Sequence, residues 1–255
     1  MVIRLHAPPT RAIALDGREV DLLHYIYSRP DFKQLRGNPT KVISAIDDYA
    51  SQFNKLMNVG PVKAPFIKNL IAERQPATMI ELGTYIGYSA IVFGDAVRTH
   101  GGKQYLSIEE NPEMAAVANQ LVDLAGLRDH VRILVGSSSE VLTELIQDRK
   151  EIKLIDMAFI DHCKEAYLPD LWLLEDLGVL VPGKSVIVAD NMIYPGNPEY
   201  MEWVRASPEQ KREIVKKPSS EVGSRTPNTD LVYETVLTEF ATSFGKDGIA
   251  VTKVV

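Results

Sequence analysis

The chain has 255 residues, 45% of them hydrophobic, enough to bury a sizeable core as one large domain or as a domain with an appendage. A formal charge of −6 and the lack of any dense Lys/Arg stripe disfavour nucleic acid as a partner, and the lone Cys163 forbids an intrachain disulfide. The N-terminal MVIRLHAPPTRAIALDGREV has no uninterrupted apolar stretch of the kind a signal peptide or membrane helix needs, so the expectation is a soluble, cytoplasmic protein without a membrane partner.

The first part of the chain reads as helical. Asn38 followed by Pro39 makes a cap and first turn for PTKVISAIDDYASQFN, and PVKAPFIKNLIAER repeats the pattern after Gly60 and Pro61. The rhythm then changes. Short apolar runs (ATMIEL, QYLSIE, VRILVG, DMAFID, SVIVAD) alternate with amphipathic segments such as NPEMAAVANQLVDLAGL and AYLPDLWLLEDLG. That alternation predicts an open, doubly wound α/β fold with a mostly parallel sheet and helices on both faces. We divide it into a helical extension, residues 1–55, and a main domain, residues 56–255. Ligands of such sheets bind beyond the carboxyl ends of the strands, which makes the residue closing each run the one to examine.

The first run ends in ELGTYIGYSA. Gly83 and Gly87 flank a turn there and Ser89 starts a helix, which frees backbone amides for a polar ligand, although two glycines serve equally for close packing of helix on sheet. The second run ends in Glu109, placed either to accept both ribose hydroxyls of a nucleoside or to favour the start of the next helix. Tyr85 stands where a dinucleotide fingerprint needs its middle glycine, so a nucleoside without a pyrophosphate, such as S-adenosylmethionine, fits the loop better. In GSSS, which closes the third run, Ser138 and Ser139 offer hydroxyls to an adenine edge, a cap for the next helix, or both.

The fourth run ends in Asp161, with Lys164 three residues on, and the fifth in Asp190 and Asn191. If these strands are neighbours, two carboxylates and an amide oxygen converge, a hard-oxygen set suited to Mg²⁺ with water and substrate completing its shell. An Asp161–Lys164 ion pair and an Asp190–Asn191 turn would explain each strand alone. They leave open why two acids should both follow fully apolar runs.

Taken together, ELGTYIGYSA, IEENP, DHCKEAYLPD, ADNMIYPGNP and the earlier MNVG (Met57 to Gly60) resemble the magnesium-dependent catechol O-methyltransferases, in the same order and over roughly residues 55–205. The resemblance implies a Rossmann-like methyltransferase sheet with an antiparallel C-terminal hairpin. It implies that Asp161, Asp190 and Asn191 hold Mg²⁺ and that Lys164 is the general base. It further implies that Glu109 binds the ribose of S-adenosylmethionine, while Val59, Glu81, Gly83, Tyr85, Ser89, Ser138, Ser139, Asp161 and His162 line the cofactor. Aligning the hairpin on its Asp-Gly turn suggests Glu239 as the carboxylate for the second catechol hydroxyl. Met57, Cys163, Lys164, Asn191, Pro195 and Glu239 would then surround the substrate.

Two positions depart from the pattern: Lys55 stands where a bulky ring is typical, and Cys163 where a Trp or Tyr is expected. Both widen the slot or change its charge, so a larger phenolic such as a hydroxycinnamoyl ester or a polyketide stands as the alternative substrate. A noncatalytic protein on the same scaffold would need none of Asp161, Lys164, Asp190 and Asn191. The expected partner is a small molecule and the expected assembly a monomer or weak homodimer. The polar stretch 207–230 reads as a surface loop.

Overall fold

The computed structural model describes residues 16–216, 225–242 and 245–255. Seven strands form one sheet in the order β3-β2-β1-β4-β5-β7-β6. The five apolar runs become the parallel strands β1 (Thr78–Leu82), β2 (Gln104–Glu109), β3 (Val131–Val135), β4 (Met157–Ile160) and β5 (Val186–Ala189). The chain then closes with an antiparallel hairpin, β6 (Tyr233–Thr242) and β7 (Gly245–Val254), with β7 hydrogen-bonded to β5.

Because successive strand residues point to opposite faces, each central strand feeds two cores. Met79, Tyr105, Phe159 and Val188 face one cluster, which also holds residues of α1 (Arg18–Ser28), α2 (Pro39–Gln52), α3 (Gly60–Arg74), α4 (Tyr88–Thr99) and α5 (Pro112–Leu124). Ile80, Leu106, Ala158 and Ile187 face the other, with α6 (Ser138–Thr143), α7 (Tyr167–Asp176) and α8 (Pro198–Arg205). The helices of residues 18–52 thus share a core with the sheet. Phe159 meets Phe93 edge-on at 5.2 Å between ring centroids, and truncating it to Ala is expected to cost about 3–5 kcal/mol.

Side-chain caps start the helices where the sequence marks them. Asn38 accepts the Lys41 backbone N–H at 3.0 Å ahead of α2, and Asn111 accepts that of Glu113 at 2.8 Å ahead of α5. Two expectations need correction. Ser137, not Ser138 or Ser139, caps α6. The stretch read as a surface loop contains α9 (Pro208–Ile214), opened by a capping box at Ser207 and Gln210, because Lys211 is drawn inward: its ammonium donates to Leu231 O at 2.8 Å and lies over the Tyr233 ring. The remainder of that stretch, 217–224, lies outside the described residues. Among the described residues no helix is long and apolar enough to cross a membrane.

Candidate active site

Strand order reverses at β1, which has β2 on one side and β4 on the other, so the carboxyl ends of β1, β2, β4 and β5 border one crevice. After Leu82 the chain turns through Gly83, whose φ is 97°. A Cβ at that position would run into the backbone of Asp161 and the side chain of His162, so glycine is required by the approach of the β4 loop and not by the turn alone. Glu109 holds this turn from the neighbouring strand: it accepts the N–H groups of Thr84 at 3.1 Å and Tyr85 at 2.8 Å, and that of Asn111 at 2.9 Å. Tyr85, itself in the left-handed region at φ 50°, donates its hydroxyl to Glu19 of α1 at 2.7 Å.

Buried polar atoms around this turn lack partners. Glu81 is fully buried; its Oε2 accepts from Ser107 Oγ at 2.5 Å, but Oε1 has no hydrogen bond, and burial pushes the carboxyl up to about 8 against the pull of the nearby hydroxyls. His162 Nε2 lies 2.8 Å from Asp170 Oδ2, and its Nδ1 has no partner. Ser138 Oγ donates to the same Asp170 oxygen. Ser89 is buried in the first turn of α4 and Val59 at the start of α3. A ligand carrying an ammonium suits the unpartnered Glu81 oxygen, since a buried polar atom left unmet costs about 1–3 kcal/mol.

On the other side of β4 the strands bring the second group together. β4 and β5 pair in parallel with Ile160 opposite Ala189, so the residues that follow them, Asp161 and Asp190, stand abreast. Burial raises the Asp161 carboxyl to about 7, and the Asp190 charge adds to this while Lys164 and Lys63 oppose it. Burial likewise raises Asp190, against the pull of Lys63. Lys164 Nζ stands 3.6 Å from Asp161 Oδ1, donates to Asn191 Oδ1 at 2.8 Å and to the Tyr167 hydroxyl, and lies over the Tyr167 ring. Among the described residues no three His, Cys, Asp or Glu side chains form a metal cluster. The donor set is two carboxylates and one amide oxygen. Two raised carboxyls sharing a site with a hard amide oxygen fit a divalent cation, which would favour both in their charged form.

Sequence reasoning missed two members of this group. Lys63 is buried in α3 and donates to both oxygens of Asp190 at 2.6 and 2.7 Å and to Asp247 Oδ2 at 2.9 Å. Burial opposes its charge, yet the two carboxylates outweigh that and hold its pKa above the ordinary value. A signal existed: Lys63, Ile67 and Ile71 recur at helical spacing, which places a lysine on the apolar stripe of α3. Asp247, read only as part of a hairpin turn, is the hairpin carboxylate that reaches the group.

Glu239 is not in that group. It pairs with Gly248 across the hairpin while Phe240 pairs with Asp247, so Glu239 and Asp247 lie on opposite faces. Glu239 is exposed and ion-paired with Lys246 at 2.6 Å. Around the expected substrate slot Met57, Cys163, Tyr194 and Pro195 are all exposed. A groove of about 880 Å³ lies against α8 and α9, lined by Met192, Met201, Arg205 and Leu237 among others, but none of Asp161, Lys164 and Asp190 borders it.

Residues 44–216 match the model of the O-methyltransferase family. The sequence is 39% identical over 171 residues, 67% of this chain, to a catechol O-methyltransferase of Bos taurus, of whose length the match spans 61%. It is 40% identical over 151 residues, 59% of this chain, to a catechol O-methyltransferase of Sus scrofa, covering 79% of that protein. Among solved structures, an O-methyltransferase from Bacillus cereus in complex with SAH shares the fold with a TM-score of 0.62 at 20% identity, over 84% of this chain and 90% of that one.

Proposed function

The chain belongs to the O-methyltransferase family, and from that premise we propose that it transfers a methyl group from S-adenosylmethionine to a hydroxyl of a catechol or related vicinal aromatic diol, with Mg²⁺ at Asp161, Asp190 and Asn191. The observation that carries this reading is the pairing of β4 with β5, which sets Asp161 beside Asp190, with Lys164 Nζ 2.8 Å from Asn191 Oδ1. In this reading Glu109 accepts the ribose hydroxyls while it keeps the β1 turn in place, and Glu81 takes the amino group of the cofactor's amino-acid tail on its unpartnered oxygen. Val59, Gly83, Tyr85, Ser89, Ser138, Ser139 and His162 complete the cofactor's walls, with Ser138 and His162 held by Asp170.

S-adenosylmethionine supplies a sulfonium methyl, and a divalent cation makes a phenolic hydroxyl more acidic. Lys164 removes the hydroxyl proton, with Asn191 and Tyr167 keeping its amine aimed at the slot. The chain forms no covalent bond to the substrate in this scheme; its contribution is to hold the partners in line and to receive the proton. Met57, Cys163 and Pro195 line the slot. Their exposure favours a second substrate class, a larger phenolic such as a hydroxycinnamoyl ester or polyketide, entering through the open wall. The test is methyl transfer to a panel of catechols and phenolic esters with and without a chelator. Chelator-sensitive turnover of catechols is expected, and full activity in EDTA removes the cation from the proposal.

A further inference from the structure

Asn191 sits at φ 60° in the left-handed region, and its side-chain amide has two chemically different ends. Only Oδ1 can serve a cation. Nδ2 donates to Asp247 Oδ2 at 2.9 Å, which turns Oδ1 towards Lys164 and the Asp161 side of the cleft. Asp247 is in turn immobilised from three directions. Its Oδ1 accepts the backbone N–H groups of Gly248 at 2.7 Å, Tyr194 at 3.0 Å and Ile193 at 3.4 Å, and its Oδ2 takes the Lys63 ammonium at 2.9 Å. Lys63 also grips Asp190, so one buried cation ties the hairpin carboxylate to a carboxylate of the cleft.

We infer that Asp247, every contact of which comes from a donor, is a positioning residue that dictates which end of the Asn191 amide faces the cation site. An oxygen that already accepts the Lys63 ammonium takes a donor from its other neighbour, so the amide presents Nδ2 to it and leaves Oδ1 for the site. The inference rests on the cation reading above, and it makes a specific statement about Asp247→Asn. Three backbone N–H groups would claim the new amide's oxygen. Its NH₂ would then face Asn191, which must rotate to offer Oδ1 to it and turn Nδ2 towards the cation. Exchanging the two residues, Asn191→Asp with Asp247→Asn, restores the donor–acceptor match between these two side chains and again presents an oxygen to the site, while the Lys63 contact to position 247 is lost in both variants alike, so comparing the two isolates the orientation of the amide.

The experiment is calorimetric titration of Mg²⁺ into the full-length protein saturated with S-adenosylhomocysteine, with thermal unfolding of every variant alongside. Asp247→Asn is expected to weaken Mg²⁺ roughly 10–100-fold, the range for a lost partner behind a metal ligand, while S-adenosylhomocysteine affinity stays within about threefold. The exchanged double variant is expected to recover most of the Mg²⁺ affinity. Wild-type protein that binds no Mg²⁺ would overturn the cation reading and this inference with it. If the wild type binds Mg²⁺ and folded Asp247→Asn binds it equally, the inference alone falls. It also falls if the double variant folds and stays as weak as Asp247→Asn, for then Asp247 supports the hairpin and not the amide.

Discussion

The two halves of the crevice handle buried carboxylates in opposite ways. On the β1 side, Glu81 is fully buried beside Ser107 with one oxygen unmet and no hydrogen-bonded cation. On the β5 side, Asp190 is buried to almost the same degree but grips Lys63 with both oxygens. Burial raises both carboxyls, but at Glu81 only neutral hydroxyls oppose the rise, whereas at Asp190 the Lys63 ammonium does. In the proposed scheme the first half receives its positive group from a ligand, while the second already holds Lys63.

The contrast breaks most severely at Asp190. Asp190→Ala strips Lys63 of two hydrogen bonds and the proposed cation of a ligand, so it is expected to cost about 3–5 kcal/mol of stability and to abolish turnover in whatever folds. Denaturant unfolding and a methyl-transfer assay read the two effects separately, and a stable, active variant would remove Asp190 from the centre of the scheme. Next in size is Lys164→Met. As the base it should cost roughly 10²–10⁴ in rate, with part of the loss returning at high pH, and leave folding intact. As a mere partner of Asp161, in a pair that is mostly withdrawn from solvent, it would lower stability and leave the folded enzyme's rate alone.

Glu109→Ala probes the other half. It removes the acceptor of three backbone N–H groups as well as the proposed ribose contacts, each charge-assisted bond worth roughly 1.5–3 kcal/mol, so calorimetry should find cofactor affinity reduced by orders of magnitude. Unchanged affinity would restrict Glu109 to holding the turn.

Glu81 sharpens the comparison through pH. Its folded pKa, about 8, lies above the ordinary 4.5, so the protonated form is favoured by folding: that contribution is full below pH 4.5 and is lost as pH rises through about 8. In ligand-free protein, wild type should therefore lose stability relative to Glu81→Gln between pH 5 and 9, read as diverging melting temperatures. Parallel curves would mean that Glu81 is already compensated. The smallest effect is expected at Glu239→Ala. An exposed ion pair with Lys246 is worth about 0–1 kcal/mol, and steady-state kinetics should change less than threefold; a rise in KM beyond tenfold would return Glu239 to the substrate.

Much of this was legible in the chain before folding was considered. Each of β1 to β5 coincides with an apolar run, and the cap at Asn38 stands where Asn-Pro marks it, because periodicity and capping are local properties. Asp161, Asp190 and Glu109 were found by the same local logic, as polar residues that end buried strands. Lys211 was not: polar neighbours disguised a lysine whose stem and ammonium lie beneath Trp203 and Tyr233.

What the sequence determined by itself is therefore the alternation of strand and helix, the acids at the strand ends, and a two-glycine turn with Tyr85 between its glycines. Which of those acids meet, and what neutralises them, only the tertiary structure decided. Lys63 reaches Asp190 across 127 positions and Asp247 across 184, and no spacing rule spans such distances. The choice between Glu239 and Asp247 had the same origin. One residue of register decides which face of a hairpin a carboxylate occupies, and that register comes from pairing β6 with β7 and β7 with β5, not from either segment alone.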